Sequence, residues 1–187
     1  EDFEDDAAAG LTEAFAELNS KHAQLPNYEQ WDAGLSSVTI TEWPIGDCFS
    51  QMHDFIAHPN GKVYIGDNLM DRIYALNPQS GEYEVFKVPH DEDAEHGGIL
   101  GSRMGTYPKT DNYMGVHSFA IAPSDGHIFL TPSMQQELVE FDPDNGEFTR
   151  HKMDDGFYPH TIRTDDKDRV WFTLALSSQV AMFDRQT

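Results

Sequence analysis

The chain is poor in positive charge. Its 187 residues carry 12 Lys+Arg against 33 Asp+Glu, a formal net charge of −21 at pH 7. Phosphate backbones need a basic stripe, so this balance argues against a nucleic-acid partner. It argues equally against docking on an anionic lipid surface. Cysteine is almost absent. The single Cys48 excludes an internal disulfide framework, a cysteine-based zinc cluster and a CxxCH haem attachment. No apolar run approaches the length that spans a bilayer. A Gly-rich phosphate loop, a nucleophile elbow and an HExxH zinc helix are also missing. The sequence opens at Glu1 without a visible leader, as a mature secreted protein or a trimmed chain would. With the acidity, this predicts a periplasmic or extracellular location.

What the sequence does have is repetition. One unit reads His53-Asp-Phe-Ile-Ala-His-Pro-Asn-Gly-Lys-Val-Tyr-Ile-Gly-Asp, then Arg72-Ile-Tyr-Ala-Leu-Asn-Pro, then Gly81-Glu-Tyr-Glu-Val-Phe. A second runs His117-Ser-Phe-Ala-Ile-Ala-Pro, Ile128-Phe-Leu-Thr, Glu137-Leu-Val-Glu-Phe-Asp-Pro and Gly146-Glu-Phe-Thr. A third runs His160-Thr-Ile-Arg-Thr, Arg169-Val-Trp-Phe-Thr and Gln179-Val-Ala-Met-Phe-Asp. Each unit is a series of short strands separated by Pro/Asn/Asp/Gly turns. Four strands in roughly 40–45 residues is the size of a propeller blade. The predicted fold is therefore all-β, a β-propeller of four-stranded blades that stack around a channel.

The units give boundaries. Residues 1–36 read as an acidic extension with one short helix over Ala7–Leu18, where the apolar spacing is helical. Residues 37–45 match the outer strand of a blade. Blades follow over 53–89 and 117–152, with an insertion over 90–116 and an incomplete blade over 160–187. A closed ring needs at least about four blades. The expectation is a portion of a six- or seven-bladed ring, completed by further residues of a longer polypeptide or by other protein chains.

Thr39-Ile-Thr-Glu-Trp-Pro-Ile, Tyr158-Pro-His-Thr-Ile and Arg169-Val-Trp-Phe-Thr resemble the repeats of the streptogramin (virginiamycin B) lyase-like propellers, which are related to NHL-type propellers. The resemblance covers about residues 37–187 and implies the propeller fold. In the lyase, a blade-start histidine and nearby glutamates act with magnesium on a cyclic peptide lactone. His160 matches that histidine type. The residue two before it, a Glu in the lyase, is Tyr158. The acidic residue expected after the second strand is Leu174 in the third unit and Pro132 in the second, and only the first unit keeps an acid, Asp67. The missing acids count against drug-lyase activity.

One column stands out within the chain. The first strand opens on histidine in all three units: His53, His117 and His160. Inner strands line a propeller channel, so these imidazoles come from successive blades toward one axis. Imidazole nitrogens suit Cu, Zn or Fe, and three ligands with an open position suit a catalytic metal. The alternative is structural: each histidine satisfies a backbone carbonyl of the next blade. His96 in the acidic insertion, Asp67 and Tyr158 are candidate substrate contacts. Two functions follow. The first is a metal-dependent lyase or oxidoreductase acting on a small-molecule or peptide ligand at the channel mouth. The second is a non-catalytic binding or assembly module of a larger secreted protein. His58, His127 and His151 fall at turns or outer strands and are expected at the surface. Asp142-Pro-Asp-Asn-Gly reads as a hairpin turn, not a calcium loop.

Overall fold

A computed structural model describes residues 39–100, 103 and 111–185, and residues 13, 14, 16 and 17 near the N-terminus. The chain divides into two units, Glu1–Glu42 and Trp43–Thr187. In the first, Glu13, Ala14, Ala16 and Glu17 are helical and residues 39–42 are irregular. The rest of the expected extension lies outside the described residues.

The second unit is built from three antiparallel sheets. Strands β1 (Met52–Ala57), β2 (Val63–Asp67), β3 (Arg72–Leu76) and β4 (Tyr83–Lys87) pair in sequence order. So do β5 (Val116–Ile121), β6 (Ile128–Pro132), β7 (Glu137–Phe141) and β8 (Phe148–Lys152). The third sheet holds β9 (Pro159–Thr164), β10 (Arg169–Leu174) and β11 (Gln179–Asp184). Residues 39–45, where the sequence suggests an outer strand, form no strand. A strand needs a neighbour to take its backbone groups, and none of the described strands pairs with this segment.

Local chemistry closes each meander. Asn77 and Asp142 sit at equivalent turns. The Asn77 side-chain oxygen accepts from the Gln79 amide at 2.9 Å, and the Asp142 carboxylate accepts from Asp144 at 2.9 Å. Gly81 and Gly146 follow with φ of 77° and 79°, a conformation that glycine adopts without a Cβ clash. The Asp142 segment is thus hairpin chemistry.

Two cores hold the sheets face to face. Tyr64, Ile73 and Ala75 of the first sheet pack on Val116, Phe119, Leu130, Val139 and Phe141 of the second. The second sheet's other face gives Ala120, Phe129 and Leu138, which meet Ile162, Val170, Phe172 and Leu174 of the third. Alternation along each strand lets the middle sheet bury both faces. At Gly66 a Cβ would come within 2.8 Å of both Phe119 and Val116, so glycine permits the close approach of the first two sheets there. The strands β1, β5 and β9 are neighbours across the sheets. They are the inner edges of successive blades, and they carry the three histidines.

Candidate functional site

Each inner strand is irregular where its histidine sits. The pairing register shifts between Met52 and Asp54, between Val116 and Phe119, and opposite Phe172–Leu174 at the start of β9. A bulge leaves a residue outside the ladder and re-aims its side chain. Neighbouring side chains take up the backbone groups released. Thr131 Oγ1 accepts the Ser118 amide at 3.1 Å, and Thr173 Oγ1 accepts the Thr161 amide at 3.2 Å. Thr131 Oγ1 also donates to the His160 carbonyl at 2.6 Å. Asp54 accepts from the Ser118 hydroxyl at 2.9 Å and from the Phe119 amide at 3.1 Å. The bulges are thus tied from one blade to the next.

The three imidazoles form a stacked column. Ring centroids are 3.9 Å apart for His53 and His117, and 3.8 Å apart for His117 and His160, with interplanar angles of 43° and 44°. Tyr158 stacks on His160 at 5.8 Å. His53 Nδ1 donates to the His117 carbonyl at 2.9 Å, the cross-blade contact that the structural alternative anticipates. His160 Nδ1 lies 3.1 Å from Thr161 Oγ1. His117 is only 9% exposed, and its Nδ1 is buried without a hydrogen-bond partner among the described residues. Burial pushes the His117 pKa down to about 4, helped by His53 and His160 and opposed by Asp54. His117 is therefore a neutral imidazole at physiological pH. A general acid or base works best with a pKa near the operating pH, and His117 lies well below it.

A single ion held by all three histidines does not fit this arrangement. Two imidazoles bound to one ion at about 2.0–2.1 Å would keep their ring centres roughly 4.5–5 Å apart, further than the column allows. His53 Nδ1 is also engaged by a carbonyl. Among the described residues, one group brings three possible ligand atoms within 4.8 Å of one another, and it is Asp125, His127 and Glu140. A cation is already there: Arg185 lies 2.6 Å from Asp125, 3.0 Å from Glu140 and 2.7 Å from Asp168.

Of the candidate substrate contacts, the structure brings one to the column. Tyr158 lines a cavity of about 290 Å³ with Gln51, His53, Asn68, Leu69, Asn112, His117, Ser133 and Met134. Asp67 is fully buried, and its carboxylate accepts from the Gln51 and Met70 amides and the Tyr74 hydroxyl. It is a strut, closed to a ligand. His96 hydrogen-bonds the Tyr113 hydroxyl at 2.6 Å and does not line the cavity.

Sequence reasoning passed over Asn112 and Ser133, each 1% exposed. Asn112 donates to the Asn68 carbonyl at 2.9 Å, and Ser133 donates to the Gly115 carbonyl at 3.0 Å. Both lie in irregular segments without a periodic pattern. His127 and His151, expected at the surface, are half-buried and hydrogen-bonded to Glu140 at 2.7 and 2.9 Å. His58 reaches the Gly126 carbonyl at 2.8 Å. His58 reaches from the first blade to the second, while His127 and His151 meet Glu140 within the second blade.

No protein-family model and no curated protein matches the chain. Solved structures do. A catalytically inactive virginiamycin B lyase from Staphylococcus aureus, with quinupristin, is similar at 15% identity and a TM-score of 0.58. The match covers 81% of this chain and 47% of that one. The fold is a β-propeller. Hydrazine synthase of Kuenenia stuttgartiensis is similar at 8% identity and a TM-score of 0.56, over 80% of this chain and 37% of that one. The WD40 repeats of RRP9 follow at 11% identity and a TM-score of 0.52, over 76% and 37%. The chain spans less than half the length of each of these proteins. Identities this low speak for shared architecture, which hosts many functions. No described helix is long and apolar enough to cross a membrane.

Proposed function

We propose that this propeller receives an uncharged polar ligand, a small molecule or a peptide segment, at the end of the channel marked by His53, His117 and Tyr158. One observation carries the reading: in a chain of net charge −21, no Asp, Glu, Lys or Arg among the described residues lines the cavity at this end. Amide, hydroxyl, imidazole and phenol groups line it instead, together with Leu69 and Met134. An anion would meet no cationic partner there and the repulsion of an acidic protein. A cation would find no carboxylate in the wall. A neutral ligand loses little solvation and gains hydrogen bonds. The neutral state of His117 supports this reading.

The experiment is a protein-observed NMR screen with fragments of matched size, neutral and charged. Neutral amide or hydroxyl fragments are expected to shift signals of His53, His117, Asn112 and Tyr158. The His117→Ala and Tyr158→Ala variants should weaken that binding by about tenfold, equivalent to about 1.4 kcal/mol. Carboxylate fragments that bind equally well, or shifts confined to other surfaces, would refute the reading.

A second reading keeps the transition metal ion (Cu, Zn or Fe) and the lyase or oxidoreductase chemistry it would bring. It is favoured by the buried, unpartnered Nδ1 of His117, and it requires the stacked rings to move apart. Stoichiometric metal in purified protein, lost in His117→Ala, would establish it. Metal content below one-tenth of the protein would dismiss it.

A further inference from the structure

We infer that His53 and His117 hold opposite tautomers, so that the channel end sets an imidazole acceptor beside an imidazole donor and selects ligands bearing N–H next to C=O on one edge. A primary carboxamide or a lactam has such an edge. The inference rests on the ligand-binding reading above and specifies its chemistry.

The assignment follows from the partners of the two Nδ1 atoms. A neutral imidazole carries one N–H and one bare nitrogen. The partner of His53 Nδ1 is the His117 backbone carbonyl at 2.9 Å. A carbonyl oxygen can only accept, so the proton is on Nδ1. In the neutral form of this ring Nε2 is then a bare acceptor, and the ring is exposed. At His117 the logic reverses. Its Nδ1 is shut away from solvent with no partner among the described residues. A proton there would bury an unsatisfied N–H, which folded proteins avoid more strictly than an under-used lone pair. The proton belongs on Nε2, which is not among the buried unpartnered atoms. The two rings stack at 3.9 Å and both line the cavity at this end, as they do a second hollow beside Asp54 and Arg163. One contact between blades therefore orders both rings: the carbonyl of His117 orients its neighbour, while the wall around His117 fixes its own proton. The ligand edge that answers this pair donates to His53 and accepts from His117.

Two measurements on the unaltered protein test the inference. Long-range proton–nitrogen NMR on 15N-histidine-labelled protein at pH 7 should show protonated Nδ1 on His53 and protonated Nε2 on His117. A protonated Nδ1 on His117, or the same tautomer on both, overturns the assignment. The second measurement titrates 2-pyrrolidinone, N-methyl-2-pyrrolidinone and γ-butyrolactone while following the same ring signals. The lactam should bind about tenfold more tightly than the other two, because a site built around a hydrogen bond rejects the analogue that lacks it. Equal binding of all three overturns the edge selection and leaves the neutral-ligand site standing. Failure of all three to shift the ring signals also overturns the selection, and the fragment screen then judges the wider reading by itself.

Discussion

Replacing Glu140 with Ala should lower the unfolding free energy by about 3 kcal/mol, in the range for removing one partner of a largely buried ion pair. Glu140 joins two blades. Its carboxylate takes hydrogen bonds from His151 at 2.9 Å, from His127 at 2.7 Å and from Arg185 at 3.0 Å. Arg185 follows β11 in the third blade and also holds Asp125 at 2.6 Å and Asp168 at 2.7 Å. Its guanidinium lies over the Phe129 ring, 5.2 Å from the centroid. Without Glu140, two histidines and an arginine lose their shared acceptor at a site where the Glu140 and Arg185 side chains are each 14% exposed.

The same carboxylate gives a pH signature. The His151 hydrogen bond, with His127 and Arg185, holds the Glu140 pKa at about 2, against an ordinary value of 4.5 and against the opposing effect of burial. A depressed carboxylate pKa stabilises the fold above the unfolded value, and that contribution is lost as pH falls through the folded value. The window is therefore about pH 4.5 down to about 2. The contribution is on the order of 3 kcal/mol, from the free energy of a pKa difference of this size. Urea unfolding at pH 7 and pH 3 should show the native protein losing more stability than Glu140→Gln. Equal losses would remove Glu140 from the account.

Asp71→Ala should cost about 3–5 kcal/mol, because it leaves three amides, two of them buried, without an acceptor. The Asp71 carboxylate accepts from Tyr113 at 2.6 Å, Met114 at 3.1 Å and Gly115 at 2.7 Å. Burial raises its pKa above the ordinary carboxylate range, with the three amides opposing. These contacts fasten the end of the insertion to the first blade, next to Asn112 at the cavity. The loss should therefore appear in function as well as stability. Hydrogen exchange of the Met114 and Gly115 amides should accelerate at least tenfold, and fragment binding at the channel end should weaken in parallel. Asp71→Asn keeps one acceptor oxygen and should lose roughly half as much stability. Unchanged exchange in Asp71→Ala would mean that the insertion is anchored elsewhere.

The blades were legible because the repeat imposes the same physics three times. Strands such as Val63–Asp67, Ile128–Pro132 and Arg169–Leu174 must each bury a face against the next sheet, so apolar alternation and turn residues recur in phase. The histidine column was legible for the same reason. What the rings do was not. Whether three imidazoles converge or stack depends on the bulges at His53, His117 and His160, and on which nitrogen finds a carbonyl. A repeat pattern contains neither. Asp67 looked like a surviving catalytic acid because it occupies a family position. The structure spends that carboxylate on two amides and a tyrosine hydroxyl. His127 and His151 looked like surface residues because each lies on a hairpin. Their partner Glu140 sits on the strand between those hairpins, and Arg185 arrives from another blade. Such long-range pairings carry no local signal.

The central claim is that three blades bring their histidines into one stacked column whose middle member is neutral and sealed on one side. The most direct measurement is an NMR pH titration of the His117 ring between pH 3 and pH 8. The structure predicts a midpoint near 4, well below the ordinary histidine value of 6.5, with His53 and His160 signals responding to the same step. A His117 midpoint near 6.5, with no response from the other two rings, would contradict the column and the ligand chemistry built on it.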